Sequence, residues 1–394
     1  MNNDPVVIVS AARTPMGAFQ GELKDFTAAQ LGASAIRAAV ERAGMKAEQV
    51  QEVIMGCVLP AGQGQAPARQ ASLGAGLPLS THCTTVNKMC GSGMKAAMLA
   101  HDLLLAGTND IMVAGGMESM TNAPYLLPKA RSGYRMGHQQ VIDHMFFDGL
   151  EDAYDKGRLM GSFAEDCAGT YQFTREKQDQ FAITSLERAQ KANQDGSFAW
   201  ETLPMAIKAG KDERFIERDE PPFKANFDKI PLLKPAFKKD GTVTAANSSS
   251  ISDGAAALTL MRRSMADKLG LKPLAGIVGH STHAQEPNLF CTAPVGALRK
   301  LFDKTGWKPS QIDLFEINEA FAVVTMAAIK EHGLPPEKVN IHGGACALGH
   351  PIGASGARIL VTLIGALRKH GLKRGVASLC IGGGEATAMA IEML

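Results

Sequence analysis

The chain has 394 residues, of which 45% are hydrophobic, and it carries 41 basic and 39 acidic side chains. This length allows a large core and two or more domains, and the near balance of charge argues against a nucleic-acid-binding protein, which usually shows a strong basic excess. The seven cysteines form no CxxC pair, so neither a disulfide framework nor a zinc ribbon is expected, and no metal site is assigned. Because no stretch resembles a leader peptide or a membrane span, we expect a cytoplasmic protein without membrane contact.

Short apolar strands alternate with helical patterns along the first part of the chain. The predicted elements are a strand at Val6–Ser10, a helix at Thr27–Ala43, a strand at Val50–Gly56, a loop at Ala61–Ala68, a buried helix after Cys90 and a strand at Asp110–Gly115. Strands that alternate with helices are typical of α/β proteins with a largely parallel sheet.

This pattern occurs a second time near the C-terminus. Ala35–Gly56 aligns without a gap with Ala297–Asn318, and Gly91-Ser92-Gly93 matches Ala354-Ser355-Gly356, each before an apolar helix. An ungapped match in the same element order predicts an internal duplication.

The stretch between the two copies differs in character, since it is rich in prolines, aromatic residues and charges. We interpret it as a large insertion over the sheet edges, with a surface helix at Thr174–Gln190 that Thr174 caps. The predicted domains are residues 1–118 with about 245–270, the insertion at 119–244, and residues 271–394. In α/β proteins such insertions lie where ligands bind, outside the carboxyl ends of the strands.

Cys90 is the first candidate catalytic residue. It stands just before Gly91 and Gly93 at the predicted start of a buried helix, where free N–H groups and the helix dipole favour a thiolate. The two glycines would leave room for a ligand to approach the backbone. On its own, such a cysteine is more often a small buried residue of the core.

Three residues later in the sequence favour a catalytic role for Cys90. His350 precedes the matching helix of the second copy, Cys380 ends the last predicted strand before Gly382-Gly383-Gly384, and Asn318 follows the matching strand. If the copies pack about a pseudo-twofold axis, all four residues converge on one side of the sheets. A cysteine, a base able to deprotonate it and a second thiol beside a glycine turn form a nucleophile–base arrangement.

These blocks resemble the signatures of the thiolase family. The matching segments include Asn87–Gly93, Asn318-Glu319-Ala320-Phe321, Gly349–Gly356 and Cys380–Gly384, and the resemblance extends over nearly the whole chain. It implies the thiolase-like fold, in which two duplicated strand-helix halves form a layered αβαβα core with a large insertion, or loop, domain.

The resemblance also implies an activity and residue roles. The activity is the reversible condensation of two acetyl-CoA molecules to acetoacetyl-CoA and CoA, by ping-pong kinetics. Cys90 would carry the acyl group, His350 would accept its proton, and Cys380 would exchange the proton of the acetyl methyl carbon. Asn318 would position a water that forms one oxyanion hole with His350, and the N–H groups of Cys90 and Gly382 would form the other.

The same resemblance implies the substrate contacts. CoA thioesters are substrates, no cofactor is bound permanently, and a homotetramer is expected, assembled through the sheet edge and the segment Met120–His144. The expected CoA-binding and acyl-binding residues are Leu159, Met160, Phe237, Ala245, Ser249, Phe290, Ala320 and Phe321. Leu159 and the serine-rich segment Asn247–Gly254 depart from the usual pattern of the family, which leaves the acyl-chain preference and the details of the CoA contacts open.

Four alternatives remain at this point. The chain could be a thiolase that degrades 3-ketoacyl-CoA of broader chain length, a condensing enzyme of the fatty-acid type, or a binder of acyl-CoA or lipid without catalysis. The fourth is a dinucleotide-dependent oxidoreductase, because Gly91–Ala96 fits GxGxxA, although Thr84–Met89 does not form a convincing strand before it.

Overall fold

The computed structural model describes residues 4–210 and 212–394. The strands are β1 (Val6–Arg13), β2 (Gly17–Ala18), β3 (Glu52–Gly56), β4 (His82–Val86), β5 (Ile111–Ser119), β6 (Tyr125–Leu126), β7 (Ile142–Asp143), β8 (Met205–Ala209), β9 (Asp212–Ile216), β10 (Ser252–Arg262), β11 (Ala275–Ala284), β12 (Leu314–Ile317), β13 (Arg374–Ile381) and β14 (Glu385–Met393).

The helices follow the same order. They are α1 (Ala28–Arg42), α2 (Pro67–Gly74), α3 (Ser92–Leu105), α4 (Met160–Tyr171), α5 (Arg175–Gln194), α6 (Pro221–Lys224), α7 (Arg263–Lys268), α8 (Ala293–Thr305), α9 (Ala322–His332), α10 (Ala345–Leu348) and α11 (Ser355–His370). None of the helices in the described ranges combines the length and the hydropathy that crossing a bilayer requires.

One large mixed sheet runs through the molecule, and the prediction of a largely parallel sheet is wrong, because within the described residues only three of its strand pairings are parallel and six are antiparallel. Its strand order is β12-β13-β14-β11-β1-β10-β5-β3-β4, and β2 pairs with β10. The sheet is joined in the middle by an antiparallel contact between β1 and β11, in which Val7 is opposite Gly276 and Ile8 is opposite Ala275.

The two sides of this central contact have the same topology. In the first half β3 and β5 are parallel and β5, β10 and β1 follow antiparallel; in the second half β12 and β13 are parallel and β13, β14 and β11 follow antiparallel. Helices α3 and α11 hold the same place before β5 and β13. The elements thus recur in the order that the sequence repeat predicts.

The two halves of the sheet form two separate layers, and three layers of helices pack against them. These five layers are those of the predicted αβαβα core. Helices α1 and α2 cover one face of the first sheet half, and α8 and α9 cover the outer face of the second half. Between them, α3 and α11 share one apolar core with strands of both halves. Helix α11 is buried from Ser355 to Leu367, as an apolar run of this kind indicates.

The first turns of α3 and α11 touch at backbone distance. A Cβ on Gly93 would lie 2.7 Å from the backbone nitrogen of Ala357, and a Cβ on Gly356 would overlap the backbone nitrogen of Met94. Only glycine at both positions allows the two helix starts to come this close.

The insertion lies between the end of β5 and the start of β10. It contains α4, α5, α6 and two small hairpins, β6-β7 and β8-β9. Helix α5 begins where expected, and the Thr174 hydroxyl accepts a hydrogen bond from the Lys177 N–H. The corresponding connection in the second half, between β13 and β14, is only the turn Gly382–Gly384.

Two local predictions are wrong. The loop placed at Ala61–Ala68 ends early, because α2 begins at Pro67, and proline is well suited to the first helical position. His82–Val86 is a strand although the overlapping stretch Thr84–Met89 shows no convincing strand pattern; it lies at the edge of the sheet with side chains largely accessible, so it lacks the apolar pattern of an inner strand.

The helix contact yields a stability prediction. We expect Gly356→Ala to lower the free energy of unfolding by about 1–3 kcal/mol, because its Cβ meets the main chain of α3, which cannot yield as a flexible side chain can. The measurement is urea denaturation followed by circular dichroism.

Gly169→Ala is the matched control. Gly169 is an exposed glycine inside α4, and a Cβ added there would meet no other atom within 4 Å, so alanine should stabilise the protein by about 0.5–1 kcal/mol. Equal effects of the two substitutions would show that the α3–α11 contact tolerates a methyl group.

Candidate active site

A cavity of about 370 Å³ lies where the two halves and the insertion meet. It is lined by the predicted residues Cys90, Leu159, Met160, Phe237, Ala245, Ser249, Phe290, Ala320, Phe321, His350, Cys380 and Gly382. Asn318 is the one predicted site residue outside this lining. The structure therefore brings together residues that are up to 292 positions apart in sequence, from Cys90 to Gly382.

Cys90 sits on a tight turn between β4 and α3. Met89 before it has φ of +46°, an unusual conformation for a residue with a side chain. The Asn87 side-chain oxygen accepts from the Met89 N–H at 2.9 Å, and the Ser92 hydroxyl donates to the Met89 carbonyl at 2.6 Å. These bonds hold the strained turn and direct Cys90 toward the cavity.

The predicted reason for Gly91 and Gly93 is wrong. A Cβ on Gly91 would overlap the Ile381 side chain, and Gly93 packs on Ala357. The glycines therefore make room for the second half of the protein and not for a ligand. Although strand β4 does precede these glycines, no space remains beside them for a pyrophosphate, which argues against the dinucleotide alternative.

The Cys90 thiol is not a resting thiolate, contrary to the expectation from its helix start. Burial raises the pKa of Cys90 to about 11; the Gly382 and Cys90 backbone N–H groups lower this pKa, and the Glu118 carboxylate raises it further. The side chain keeps some contact with the cavity, but the surrounding protein removes it from bulk water. The cost of burying a charge therefore outweighs the helix terminus.

His350 lies in the loop between α10 and α11. Its Nδ1 is 2.5 Å from the Ser355 hydroxyl, and that hydroxyl donates its own hydrogen to the Pro351 carbonyl at 3.0 Å. Since the hydroxyl has only one hydrogen, Nδ1 is assigned as the donor, which leaves Nε2 free to accept a proton. Burial and the positive charge of Arg358 lower the pKa of His350 to about 3, so the imidazole is neutral at rest.

Asn318 lies next to His350 and is 1% exposed. Its side-chain nitrogen is 3.5 Å from each ring nitrogen of His350, at the limit of a hydrogen bond. The Arg358 guanidinium donates to the Asn318 side-chain oxygen at 3.4 Å, which directs the NH₂ group toward the imidazole.

Cys380 ends β13 and is 1% exposed. Burial raises the pKa of Cys380 well above its ordinary value, and negative charge on Cys90 raises it further. The following turn places the Gly382 N–H against the Cys90 sulfur. The two N–H groups expected to hold an oxyanion, those of Cys90 and Gly382, thus face the same atom.

Aromatic rings form the wall of the cavity. Phe321 contacts Phe237 edge-on with ring centroids 6.0 Å apart, and Phe290 at 6.4 Å. Gly161 in α4 allows the Phe237 ring to lie directly against the helix. The Glu165 carboxylate accepts the N–H groups of the loop that carries Phe237, so this wall is anchored by hydrogen bonds.

Several lining residues were not predicted. They are Phe146, Gly149, Leu150, Gly161, Ala236, Ser248, Ser250, Ile251 and Ile352. Three of them belong to a single π-helical turn, Phe146–Leu150, a geometry that is frequent at functional sites. The sequence carries no periodicity there that could have indicated it.

Glu118 is a further buried residue that the site depends on. Its carboxylate accepts backbone N–H groups from Val58 and Leu59 and from Gly353, three residues after His350. Burial raises the pKa of Glu118 to about 7, although these hydrogen bonds lower it. Glu118 thereby fixes the His350 loop on the half of the protein that carries Cys90.

The raised pKa of Cys90 gives a prediction for the free enzyme. A raised pKa means less thiolate at neutral pH, so iodoacetamide should alkylate Cys90 slowly at pH 7, with a rate that still increases above the ordinary cysteine value of 9. The rate is measured by peptide mass mapping between pH 6 and 10. A rate that is already constant at pH 6 would instead indicate a preformed thiolate–imidazolium pair.

The chain is similar to known proteins over its whole length. Family profiles described as thiolase, N-terminal domain, and thiolase, C-terminal domain, match residues 6–264 and 271–393. Acetyl-CoA acetyltransferase 2 of Arabidopsis thaliana is 52% identical over 398 residues, covering 100% of this chain and 98% of that protein.

Two solved structures have the same fold. The acetyl-CoA acetyltransferase of Bacillus anthracis has a TM-score of 0.96 at 41% identity and covers 99% of each chain. The Acat5 thiolase of Ascaris suum, solved in complex with coenzyme A, has a TM-score of 0.93 at 41% identity and covers 99% of this chain and 100% of that one. The resemblance seen in the sequence is confirmed, and the chain belongs to the thiolase family.

Proposed function

We propose that the protein is an acyltransferase that condenses two acetyl-CoA molecules to acetoacetyl-CoA and CoA, and runs the reverse cleavage. The observation that carries this proposal is the placement of two thiols and one neutral imidazole, Cys90, Cys380 and His350, around a single apolar cavity. Relatives about half identical over the whole chain are named acetyl-CoA acetyltransferases.

In the first half-reaction Cys90 attacks the thioester carbonyl of acetyl-CoA. His350 takes the thiol proton at Nε2 and returns it to the departing CoA sulfur, so the protons balance and acetyl-Cys90 remains. A neutral imidazole is the required starting state, and the lowered pKa of His350 supports it. The developing oxyanion is held by N–H groups aimed at it.

In the second half-reaction Cys380 removes a proton from the methyl carbon of a second acetyl-CoA. The resulting carbanion attacks the carbonyl carbon of acetyl-Cys90, and the bond from that carbon to the Cys90 sulfur breaks, which completes acetoacetyl-CoA. The released Cys90 thiolate takes up the proton that Cys380 had removed. The shared intermediate acetyl-Cys90 separates the two half-reactions, as ping-pong kinetics require.

The route to the cavity suits the rest of the CoA molecule. A groove of about 600 Å³ adjoins the cavity and shares Ala245, Ser250 and Ile251 with it. Lys224 and Lys229 also line this groove, and ammonium groups bind phosphate well. We propose that the pantetheine arm passes Ser249 and that the phosphates lie near the two lysines.

The aromatic wall supports a short acyl chain. Phe290 is 3% exposed and packs edge-on against Phe163 and Phe321, so the cavity ends at a closed cluster of rings. A thiolase of broader chain length needs an open continuation at this place. The acetyl group is therefore favoured over longer acyl chains.

The decisive test is the variant Cys380→Ser. It should form acetyl-Cys90 from acetyl-CoA at the wild-type rate, because His350 and the Cys90 turn are intact, while acetoacetyl-CoA formation falls by about 10²–10⁴-fold, since a hydroxyl is too weak a base. Mass mapping of the Cys90 peptide follows acylation, and an absorbance assay of acetoacetyl-CoA follows condensation.

Cys90→Ser is the matched control, and it should lose both steps. Equal loss of acylation and condensation in Cys380→Ser would contradict the separate roles. Wild-type protein that cleaves longer 3-oxoacyl-CoA faster than acetoacetyl-CoA would contradict the substrate assignment.

We also propose a homotetramer, or at least a dimer. The outer strand β4 has no partner on its free edge within the described chain, and apolar side chains of the insertion are exposed, with Met136 90% and Val141 59% accessible. Light scattering should give a multiple of 41.7 kDa; a monomer at every concentration would contradict assembly.

The cytoplasmic location stays a prediction.

A further inference from the structure

Three polar side chains converge at a place away from the active cavity. His101 and Asp102 lie on α3, and His280 lies on β11. The His280 Nε2 is 3.2 Å from the His101 Nδ1 and 2.9 Å from an Asp102 carboxylate oxygen, and that oxygen is also 2.9 Å from the His101 Nδ1. Two imidazole nitrogens and one carboxylate oxygen thus form a nearly equilateral triangle.

A β-bulge aims His280 at this point. The pairing of β11 with β14 shifts register between Ile277 and Gly279, so Val278 is an extra residue. Gly279 consequently faces Thr305 of α8, and His280 points to the opposite face, toward α3. Without the bulge, this side chain would lie on the outer face of the sheet.

The cluster is not a packing feature shared by the two halves. At the positions of α11 that correspond to His101 and Asp102 stand Ile364 and Gly365, which are buried in the apolar core. No spacing in the sequence indicates the cluster either, since Asp102 and His280 lie 178 positions apart. The place beside α11 that matches this cluster therefore lacks the two donors that α3 supplies.

We propose that His101, Asp102 and His280 form a binding site for a divalent transition-metal ion of the zinc type. Imidazole nitrogen with one carboxylate oxygen is a common ligand set for such ions. Tetrahedral bonds of about 2.0–2.1 Å would separate neighbouring ligand atoms by about 3.3 Å, so the triangle needs to open by only a few tenths of an ångström.

The burial of the three side chains also supports a metal site. The side chains of His101 and His280 are 12% and 10% exposed, and that of Asp102 is 55% exposed. Two ligands are thus held by packing while one side remains open for a water ligand. The Lys304 ammonium group, which donates to the His280 carbonyl, adds a nearby positive charge and moderates the affinity.

Such an ion would join the two halves of the fold. Its ligands come from α3 of the first half and from β11 of the second, and His101 lies about 14 Å along α3 from the first helical residue, Ser92. The expected role is structural, because more than two turns of α3 separate the site from the helix start beside Cys90.

Cobalt(II) is the probe for this site, because its visible bands report tetrahedral coordination and its near-ultraviolet charge-transfer band reports bound sulfur. Wild-type protein should bind one Co²⁺ per chain with visible bands and without the sulfur band. His280→Ala and Asp102→Asn should each weaken binding by at least about tenfold, since even outer partners of a ligand contribute about 10–100-fold.

His138→Ala is the matched control, because His138 is an exposed histidine of the insertion outside the cluster, and its Co²⁺ affinity should equal that of the wild type. Unchanged affinity in His280→Ala would overturn the proposal. A sulfur charge-transfer band, which would place the ion on the thiols of the active cavity, or the absence of stoichiometric binding would do so as well.

Discussion

The backbone contact between the first turns of α3 and α11 governs the whole active site. Gly93 and Gly356 place the two helix starts against each other, and the residues that precede those starts carry Cys90 and His350. Glu118 adds a second connection, because its carboxylate binds N–H groups on both sides of the junction. The reacting groups are therefore positioned by main chain and by buried hydrogen bonds, which hold them more rigidly than side-chain packing alone would.

Burial around the cavity determines when each group becomes reactive. Burial keeps Cys90 and Cys380 as thiols and His350 as a neutral imidazole. The same low-dielectric surroundings strengthen the interactions of protein groups with any charge that develops during the reaction. In the proposed mechanism Cys90 loses its proton to His350 only as it attacks the thioester, and in the free protein the raised pKa of Cys90 keeps it a thiol.

The sequence predicts the parts of the site that follow local rules. Cys90, His350 and Cys380 stand where strands end or helices begin, beside glycines, and the repeat brings them together. The packing role of Gly91 and Gly93 is not predictable in this way, because their neighbours, Ile381 and Ala357, are more than 260 positions away. The π-helical turn at Phe146–Leu150 and the edge strand β4 have no apolar periodicity, so only tertiary contacts identify them.

The central position of β1 has a consequence for the synthesis of the chain. This strand, Val6–Arg13, pairs with β10, where Val6 is opposite Arg262 and Arg13 is opposite Ala256, and with β11. Both partners leave the ribosome roughly 10–50 s after β1, at usual translation rates. During that interval an apolar strand has neither of its neighbours, and long-range pairing of this kind is slow. Strand β1 therefore stays without its two sheet neighbours until residue 284 has been synthesised.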